Sequence, residues 1–151
     1  MFNLFKKKYK DIKDYPDTWG VSNGKYNEKI VSARYRNLQD AIGHTEYPYQ
    51  IGVAVGFQVE TENGLPEQKD SDELLKVEDE LIELLETENK CVFVLALTTN
   101  NMREFVFYTG EWKPDFFDKE ISLLQEKLSP YKLNFMMQED SEWNTFKTFS
   151  K

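Results

Sequence analysis

The sequence predicts an α+β fold built as a single domain. Two amphipathic helical patterns alternate with four β-prone runs between Gln50 and Gln138, and two shorter β-prone runs precede them. From Gln50 onward the order is strand, helix, strand, strand, helix, strand, which is the split βαβ pattern of ferredoxin-like sandwiches. We therefore expect a ferredoxin-like βαββαβ sandwich with an extra N-terminal β-hairpin.

The N-terminal hairpin is expected from two β-prone runs that end at Tyr26 and Arg36. Asn23-Gly24 lies in this region, and this residue pair adopts positive φ angles at little cost. The sequence therefore predicts a hairpin that turns at Asn23-Gly24.

The clearest strand runs from Gln50 to Glu60, because large and small residues alternate along it. Its large apolar face consists of Ile51, Val53, Val55, Phe57 and Val59. The other face carries Gly52, Ala54 and Gly56, and glycine weakens a strand unless something approaches its backbone closely. We expect this face to lie under a helix or the hairpin, or else to form the floor of a ligand pocket.

The first helix is predicted over Asp70–Glu88, where apolar residues recur at three- and four-residue steps. Asp70 and Glu73 resemble a capping box at its start. The next segment, Cys91–Thr99, is apolar on both faces, which is typical of a central strand. Arg103–Tyr108 follows the Asn100-Asn101 turn as the hairpin partner of that strand.

A second helix is predicted to begin near Pro114-Asp115 and to end at Ser129-Pro130, followed by a last strand over Lys132–Gln138. Because the central strands are apolar on both sides, the sheet face opposite the helices also needs a cover. We expect the N-terminal hairpin and the aromatic tail Glu139–Lys151 to supply it.

Composition limits the functions that are plausible. The 151 residues include 27 acidic and 19 basic side chains, a formal net charge of −8, which argues against direct nucleic-acid binding over a basic surface. No apolar run of about 18 residues occurs, and we expect a cytoplasmic protein. Residues 1–16 are expected to form a basic flexible segment and residues 17–151 the single domain. Weak membrane-surface contact by Phe2, Leu4 and Phe5 is the less favoured interpretation of that segment.

Nucleophilic or metal chemistry has little support. Cys91 begins a hydrophobic strand, where a thiol is usually inert. His44 lies in a polar loop with no serine elbow to pair with it. One histidine and one cysteine do not build an ordinary zinc site, so we expect neither a metal ion nor a cofactor.

The acidic first helix is the main candidate for an interaction surface. Glu80, Glu83 and Glu86 are predicted to bind a basic protein partner. A second candidate site is a polar and aromatic cleft formed by Arg34, Glu78, Asp79, Arg103, Glu104, Tyr108 and Trp143. We expect Arg34 or Arg36 to pair with Glu104, and Glu78 or Asp79 to pair with Arg103.

Two alternatives to a binding module stay open. Glu78, Asp79 and Glu104 could hold a divalent metal in a hydrolase, with Arg103 as an electrophilic clamp. The glycine-containing strand face could bind a small ligand.

Several short motifs occur in a recognisable order. Asn63-Gly64-Leu65-Pro66 is followed by Val77-Glu78-Asp79, by Thr98-Thr99 and by Arg103-Glu104-Phe105-Val106-Phe107-Tyr108-Thr109. This order resembles a bacterial family named as domain of unknown function 695. The closing Asp140 to Phe146 segment is similar to that family's terminal Asp-x-x-Trp-x-x-Tyr element, with Phe146 in place of the tyrosine. The resemblance covers most of the chain from about Trp19 and implies no catalytic residues.

The C-terminal half also resembles the regulator of ribonuclease E activity B, a small acidic ferredoxin-like protein that acts by binding a nuclease. This resemblance implies a mode of action, protein binding, without implying the target. The sequence therefore predicts a non-catalytic interaction or regulatory module.

Overall fold

The computed structural model describes residues 8–150, and the membrane contact by Phe2, Leu4 and Phe5, the less favoured interpretation of the N-terminal segment, lies outside the described residues. The fold is α+β, with a six-stranded antiparallel sheet and three α-helices. The strands are β1 (Trp19–Tyr26), β2 (Lys29–Arg36), β3 (Tyr49–Gly56), β4 (Cys91–Thr99), β5 (Met102–Thr109) and β6 (Leu133–Glu139). The helices are α1 (Gln68–Leu85), α2 (Pro114–Leu128) and α3 (Asn144–Phe149).

The strand order across the sheet is β1-β2-β4-β5-β3-β6, and every neighbouring pair is antiparallel. Helix α1 connects β3 to β4 and helix α2 connects β5 to β6. Each of these connections therefore crosses over β5 or β3, and the two helices cover the same face. We call this helix-covered side the first face and the opposite side the second face.

The N-terminal hairpin turns at Asn27-Glu28, so the predicted turn at Asn23-Gly24 is wrong. Both Asn27 and Glu28 have positive φ, 51° and 66°, as a two-residue turn of type I′ requires. Asn23 and Gly24 lie inside β1 instead. Pairing over all eight residues of both strands, from Trp19↔Arg36 to Tyr26↔Lys29, places the turn four residues later than the local signal indicated.

Helix α1 begins at Gln68, and Asp70 does not cap it. The residue before the helix is Glu67. Asp70 is buried and accepts hydrogen bonds from the amides of Gln58 and Val59, at 3.1 and 3.0 Å, and from the hydroxyl of Tyr131. Its carboxylate therefore ties the start of α1 to the connection that follows β3 and to the loop before β6.

The core has two parts, one on each face. On the first face, Ile51, Val53 and Val55 of β3 pack with Leu74, Val77, Leu81 and Leu85 of α1 and with Phe117 and Ile121 of α2. Strand β4 supplies both parts because successive side chains of a strand point to opposite faces, and an irregularity between Phe93 and Leu95 interrupts this alternation. Phe93 belongs to the first-face core, whereas Val94, Leu95 and Leu97 belong to the second.

The second face is covered by the C-terminal tail, the connection between β2 and β3, and residues preceding β1. Trp143 and Phe146 of the tail are fully buried there, together with Ile12 and Tyr15. The hairpin does not cover this face, contrary to expectation: β2 pairs with β4 and extends the sheet sideways. The segment expected to be flexible thus contributes two side chains to the core.

None of the helices in residues 8–150 is long and apolar enough to cross a membrane.

Candidate functional site

The sideways extension of the sheet creates a groove on the first face. Helices α1 and α2 lie over the other strands, so the hairpin β1–β2 faces the side of α1 across an open space. A cavity of about 470 Å³ occupies one part of this space. Its lining includes Trp19, Arg34, Arg36, Glu78, Ile82, Glu86 and Phe93. We call this space the hairpin groove.

An ion pair bridges the middle of the hairpin groove. Nη2 of Arg34 on β2 donates a hydrogen bond to Oε1 of Glu78 on α1. The Glu78 side chain is 8% exposed and the Arg34 side chain 34% exposed. The guanidinium of Arg34 also lies over the ring of Trp19, 5.2 Å from its centroid, which adds a cation–π contact. Arg34 is therefore held between an aromatic ring and a buried carboxylate.

Arg36 occupies the end of the groove near the start of β4. Its Nη1 lies 3.8 Å from Oε2 of Glu86, and its Nε lies 3.4 Å from Oδ1 of Asp17. The same Glu86 oxygen accepts a hydrogen bond from the amide of Phe93 at 3.1 Å. Burial raises the pKa of Glu86, although the Phe93 amide and the Arg36 charge act in the opposite direction. Glu86 is thus part of the groove wall.

Arg103 lies at the other end, beneath the N-terminal half of α1. Its Nε donates a hydrogen bond to Oγ1 of Thr98 at 2.8 Å. Burial lowers the pKa of Arg103, the positive charge of Arg34 lowers it further, and the negative charge of Glu78 opposes both. Arg34, Glu78 and Arg103 therefore lie close enough for their charges to influence one another. Glu78 pairs with Arg34, and among the described residues the expected pairing of Glu78 or Asp79 with Arg103 does not form.

The other members of the predicted cleft lie elsewhere. Glu104 follows Arg103 on the same strand and so points to the second face, with its Cδ beside Gly52. It forms no hydrogen bond or ion pair with any residue in the described part of the chain, and burial raises its pKa. Asp79 is exposed on the outer side of α1. The expected pairing of Glu104 with an arginine of the hairpin is wrong, because the two lie on opposite faces.

Tyr108 and Trp143 belong to the second-face core. Their rings stack at 4.4 Å, and the indole of Trp143 donates to the carbonyl of Tyr47 at 2.9 Å. The hydroxyl of Tyr108 donates to Asp140 at 2.7 Å, and burial, followed by this bond, strongly raises the pKa of Tyr108. Asp140 also accepts from the amides of Asn144 and Thr145, at the start of α3. The Asp140-x-x-Trp143 motif therefore anchors the tail.

The predicted partner-binding glutamates point in three directions around α1. Glu80 lies towards α2 and pairs with Lys127 at 2.9 Å. Glu83 is exposed on the outer side, and Glu86 lines the hairpin groove. Steps of three residues rotate the side chain by about 60° each time on a helix with 3.6 residues per turn, which is why the three do not form one patch.

The two candidate nucleophilic or basic side chains, Cys91 and His44, are both buried within the fold. Cys91 is buried, and burial raises the pKa of its thiol to about 11, so the reactive thiolate is disfavoured. His44 is also buried, with Nε2 2.8 Å from the carbonyl of Lys10 and Nδ1 accepting from the amide of Glu46. Both ring nitrogens of His44 are engaged in holding the backbone.

The metal-binding alternative does not fit the arrangement of the acids. Glu78 is on the first face, Glu104 on the second, and Asp79 on the outside of α1. Across residues 8–150, no group of three or more His, Cys, Asp or Glu side chains is placed to hold a metal ion. The glycine-face alternative also meets an obstacle, because the side chain of Met136 occupies the space over Gly52.

Three residues of the hairpin groove were not among the residues predicted for the cleft: Trp19, Arg36 and Asp17. Trp19 and Arg36 are register partners across the hairpin. Arg34 and Arg36 also share a face, since they are two residues apart on one strand. This two-residue spacing could have predicted that both arginines line the same surface. It could not predict that α1 lies opposite them and turns that surface into a groove.

The molecule is an α+β protein whose antiparallel sheet is extended by a hairpin. The hairpin and α1 form the two walls of a charged groove. The chain belongs to DUF695, described as a family of unknown function, and the family model matches residues 17–150. The resemblance to that family in the sequence is thereby confirmed. Comparisons with curated proteins and with solved structures found no match.

Proposed function

We propose that this chain is a non-catalytic, cytoplasmic interaction module that binds a basic protein through the outer surface of α1. The observation that carries the proposal is the segregation of charge. Helices α1 and α2 contain eleven acidic and four basic residues, a net charge of −7 out of −8 for the whole chain. The remaining residues are close to neutral, so the negative potential is concentrated on one side of the molecule.

The outermost acids of α1 are Asp72, Asp79 and Glu83, and all three are exposed. The neighbouring lysines are engaged by other acids: Lys76 pairs with Glu73 at 3.1 Å and Lys127 with Glu80 at 2.9 Å. Within the described residues, Asp79 and Glu83 form no ion pair. A partner that offers lysine or arginine at this surface would meet carboxylates that are not already neutralised.

The topology supports a finer proposal on the fold. Strands β3 to β6, with α1 and α2, show the order β4-β5-β3-β6, and both crossovers place a helix on the first face. We propose that this part is a ferredoxin-like unit to which β1 and β2 add an edge. We further propose protein binding as the mode of action, in keeping with the expectation from the sequence that the C-terminal half is related to a ribonuclease regulator.

The test compares two double variants with equal charge change. Asp79→Asn with Glu83→Gln removes two charges from α1, whereas Glu60→Gln with Glu142→Gln removes two exposed charges elsewhere. Affinity capture from native cells is carried out with the wild-type protein and both variants, and each recovered protein is then purified and titrated directly.

We expect a partner retained by the wild type and the control variant but weakened at least tenfold by the α1 variant. Two rim ion pairs at about 1 kcal/mol each would supply this loss. Raising the salt concentration should weaken wild-type binding in parallel. If both variants bind every recovered protein as tightly as the wild type, the proposed surface is wrong.

A further inference from the structure

A second, smaller cavity of about 230 Å³ lies between the hairpin and the N-terminal half of α1. Four elements contribute polar side chains to it: Ser32 and Arg34 from β2, Thr98 from β4, Arg103 from β5 and Ser71 from α1. Among the described residues, its lining contains two guanidinium groups and three hydroxyls but no carboxylate. We call it the arginine pocket.

The guanidinium of Arg103 is only partly used by the protein. Its Nε bonds to Thr98, and within residues 8–150 no carboxylate lies within ion-pair distance of it. No hydrogen bond to a described residue engages its two terminal nitrogens. Arg34 differs, because it already pairs with Glu78. The three charges Arg34, Glu78 and Arg103 sum to +1, which one negative charge would balance.

Two exposed apolar side chains form the rim of the arginine pocket. Val21 on β1 is 65% exposed and Leu75 on α1 is 46% exposed. Both line the cavity beside the guanidiniums. A ligand that contacts both kinds of group therefore carries a negative charge next to a small apolar group.

We propose that the arginine pocket binds a carboxylate attached to a short apolar group. A carboxylate matches the planar fork of a guanidinium better than a spherical anion does. It can also accept hydrogen bonds from the serine and threonine hydroxyls around it. Its single charge balances the local +1, whereas a doubly charged phosphate would leave an excess negative charge beside the acidic helix α1.

The volume of the arginine pocket suits a small group. About 230 Å³ is roughly the space of eight water molecules at about 30 Å³ each. Two sources share this chemistry: the C-terminal residue of a peptide and a free short-chain carboxylic acid. This inference is independent of the proposed basic partner, because it concerns a different surface and a ligand of opposite charge.

The ligand arm of the test uses three matched probes and inorganic phosphate in NMR titrations of the full chain. N-acetyl-leucine represents a peptide C-terminus, 4-methylpentanoate represents a free acid, and N-acetyl-leucinamide keeps the apolar group without the charge. We expect saturable shifts at the amides of Ser32 and Thr98 with the two acids, and affinity at least tenfold weaker for the amide. Tighter binding of N-acetyl-leucine than of 4-methylpentanoate favours the peptide source, and equal binding favours the free acid.

The variant arm separates binding from folding. Arg103→Gln should weaken N-acetyl-leucine binding at least tenfold, but it alters a half-buried residue. Leu75→Glu alters an exposed one and places a carboxylate beside the guanidiniums, so it should also reduce the affinity at least tenfold. Leu123→Glu makes the same change at an exposed position of α2 and should stay within twofold of wild type. Unchanged affinity in Leu75→Glu, equal shifts with the amide, or tighter binding of phosphate would each overturn the proposal.

Discussion

The two faces of the sheet are closed in different ways. The second face is sealed by the tail, where Trp143 and Phe146 are fully buried and Asp140 fixes both Tyr108 and the start of α3. The first face is covered by α1 and α2 over the central strands only. Beyond α1, the hairpin groove and the arginine pocket remain open to solvent and carry charged side chains.

This contrast separates residues that build the fold from residues that are free to bind. The most conspicuous motif in the sequence, Asp140-x-x-Trp143, belongs to the sealed face and has its polar atoms satisfied within the protein. Arg34 and Arg103 lie in less conspicuous sequence surroundings but on the open face. The charged side chains that are free to bind a ligand therefore lie on the first face.

The largest effect is expected from Trp143→Ala. Trp143 is fully buried, stacks on Tyr108 and donates a hydrogen bond to Tyr47. Its loss should lower the free energy of unfolding by about 3–5 kcal/mol, measured by urea denaturation. Trp112→Ala, at a residue that is 51% exposed and contacts Tyr49, should cost less than about 1 kcal/mol. Equal losses in the two variants would mean that the tail does not seal the second face.

The next effect concerns the ion pair that crosses the hairpin groove. Arg34→Met leaves the buried Glu78 carboxylate without its partner and should cost about 2 kcal/mol of unfolding free energy. Adding Glu78→Met should recover most of that loss, because the unpaired charge is then gone. Lys76→Met, which breaks the exposed pair with Glu73, should change stability by less than about 0.5 kcal/mol. A double variant no more stable than Arg34→Met would contradict this account.

Much of the fold could be predicted from local patterns. Alternation in β3 and the apolar stripe of α1 identified both elements, because each records burial on one side of a regular structure. The prediction of the hairpin turn was wrong because the position of the turn is not set locally. Pairing along the full length of β1 and β2, and of β2 with β4, fixes the register and places Asn23-Gly24 inside β1. The prediction that the hairpin covers the second face was wrong for a similar reason, since the cover of a sheet depends on where segments distant in sequence pack.

The site could be predicted only in part. The structure brings together Arg34, Glu78 and Arg103 of the predicted cleft, but they come from three elements, and Arg34 and Glu78 are 44 positions apart in sequence. Which arginine meets which carboxylate depends on the placement of α1 over the sheet. Glu104 was misassigned to this group, although its position next to Arg103 on one strand requires it to face the other way.

A smaller effect, dependent on pH, is expected at Asp70. Burial acts to raise its pKa, but hydrogen bonds from Tyr131 and from the amides of Val59 and Gln58 outweigh burial and lower it. The ionised carboxylate therefore stabilises the fold above its unfolded-state pKa, and this contribution is lost as the pH falls through the lower folded-state value. Asp70→Asn should cost about 1–2 kcal/mol at pH 7.

The difference in unfolding free energy between Asp70→Asn and wild type should shrink as the pH is lowered from 7 to 3. Below the unfolded-state pKa of aspartate, about 3.9, protonation stabilises the unfolded wild type while the folded carboxylate is still ionised. Asp72→Asn changes an exposed acid of the same helical turn and should stay within about 0.5 kcal/mol of wild type at both pH values. A deficit in Asp70→Asn that is as large at pH 3 as at pH 7 would show that the charge on Asp70 is not what stabilises this junction.

The smallest effect is expected at Gly52, where the flexible side chain of Met136 lies over the second face next to Glu104. A Cβ at Gly52 would lie 2.9 Å from Sδ of Met136, which is 39% exposed and can swing away. The substitution also reduces the entropy of the unfolded strand, so Gly52→Ala should change the unfolding free energy by less than about 0.5 kcal/mol. Gly64→Ala should cost more than about 1 kcal/mol, because φ is +78° and the new Cβ would lie 2.9 Å from the Asn100 backbone nitrogen. A loss at Gly52 as large as that at Gly64 would mean that Met136 is fixed in place and that the second face is closed there as firmly as it is beneath Trp143.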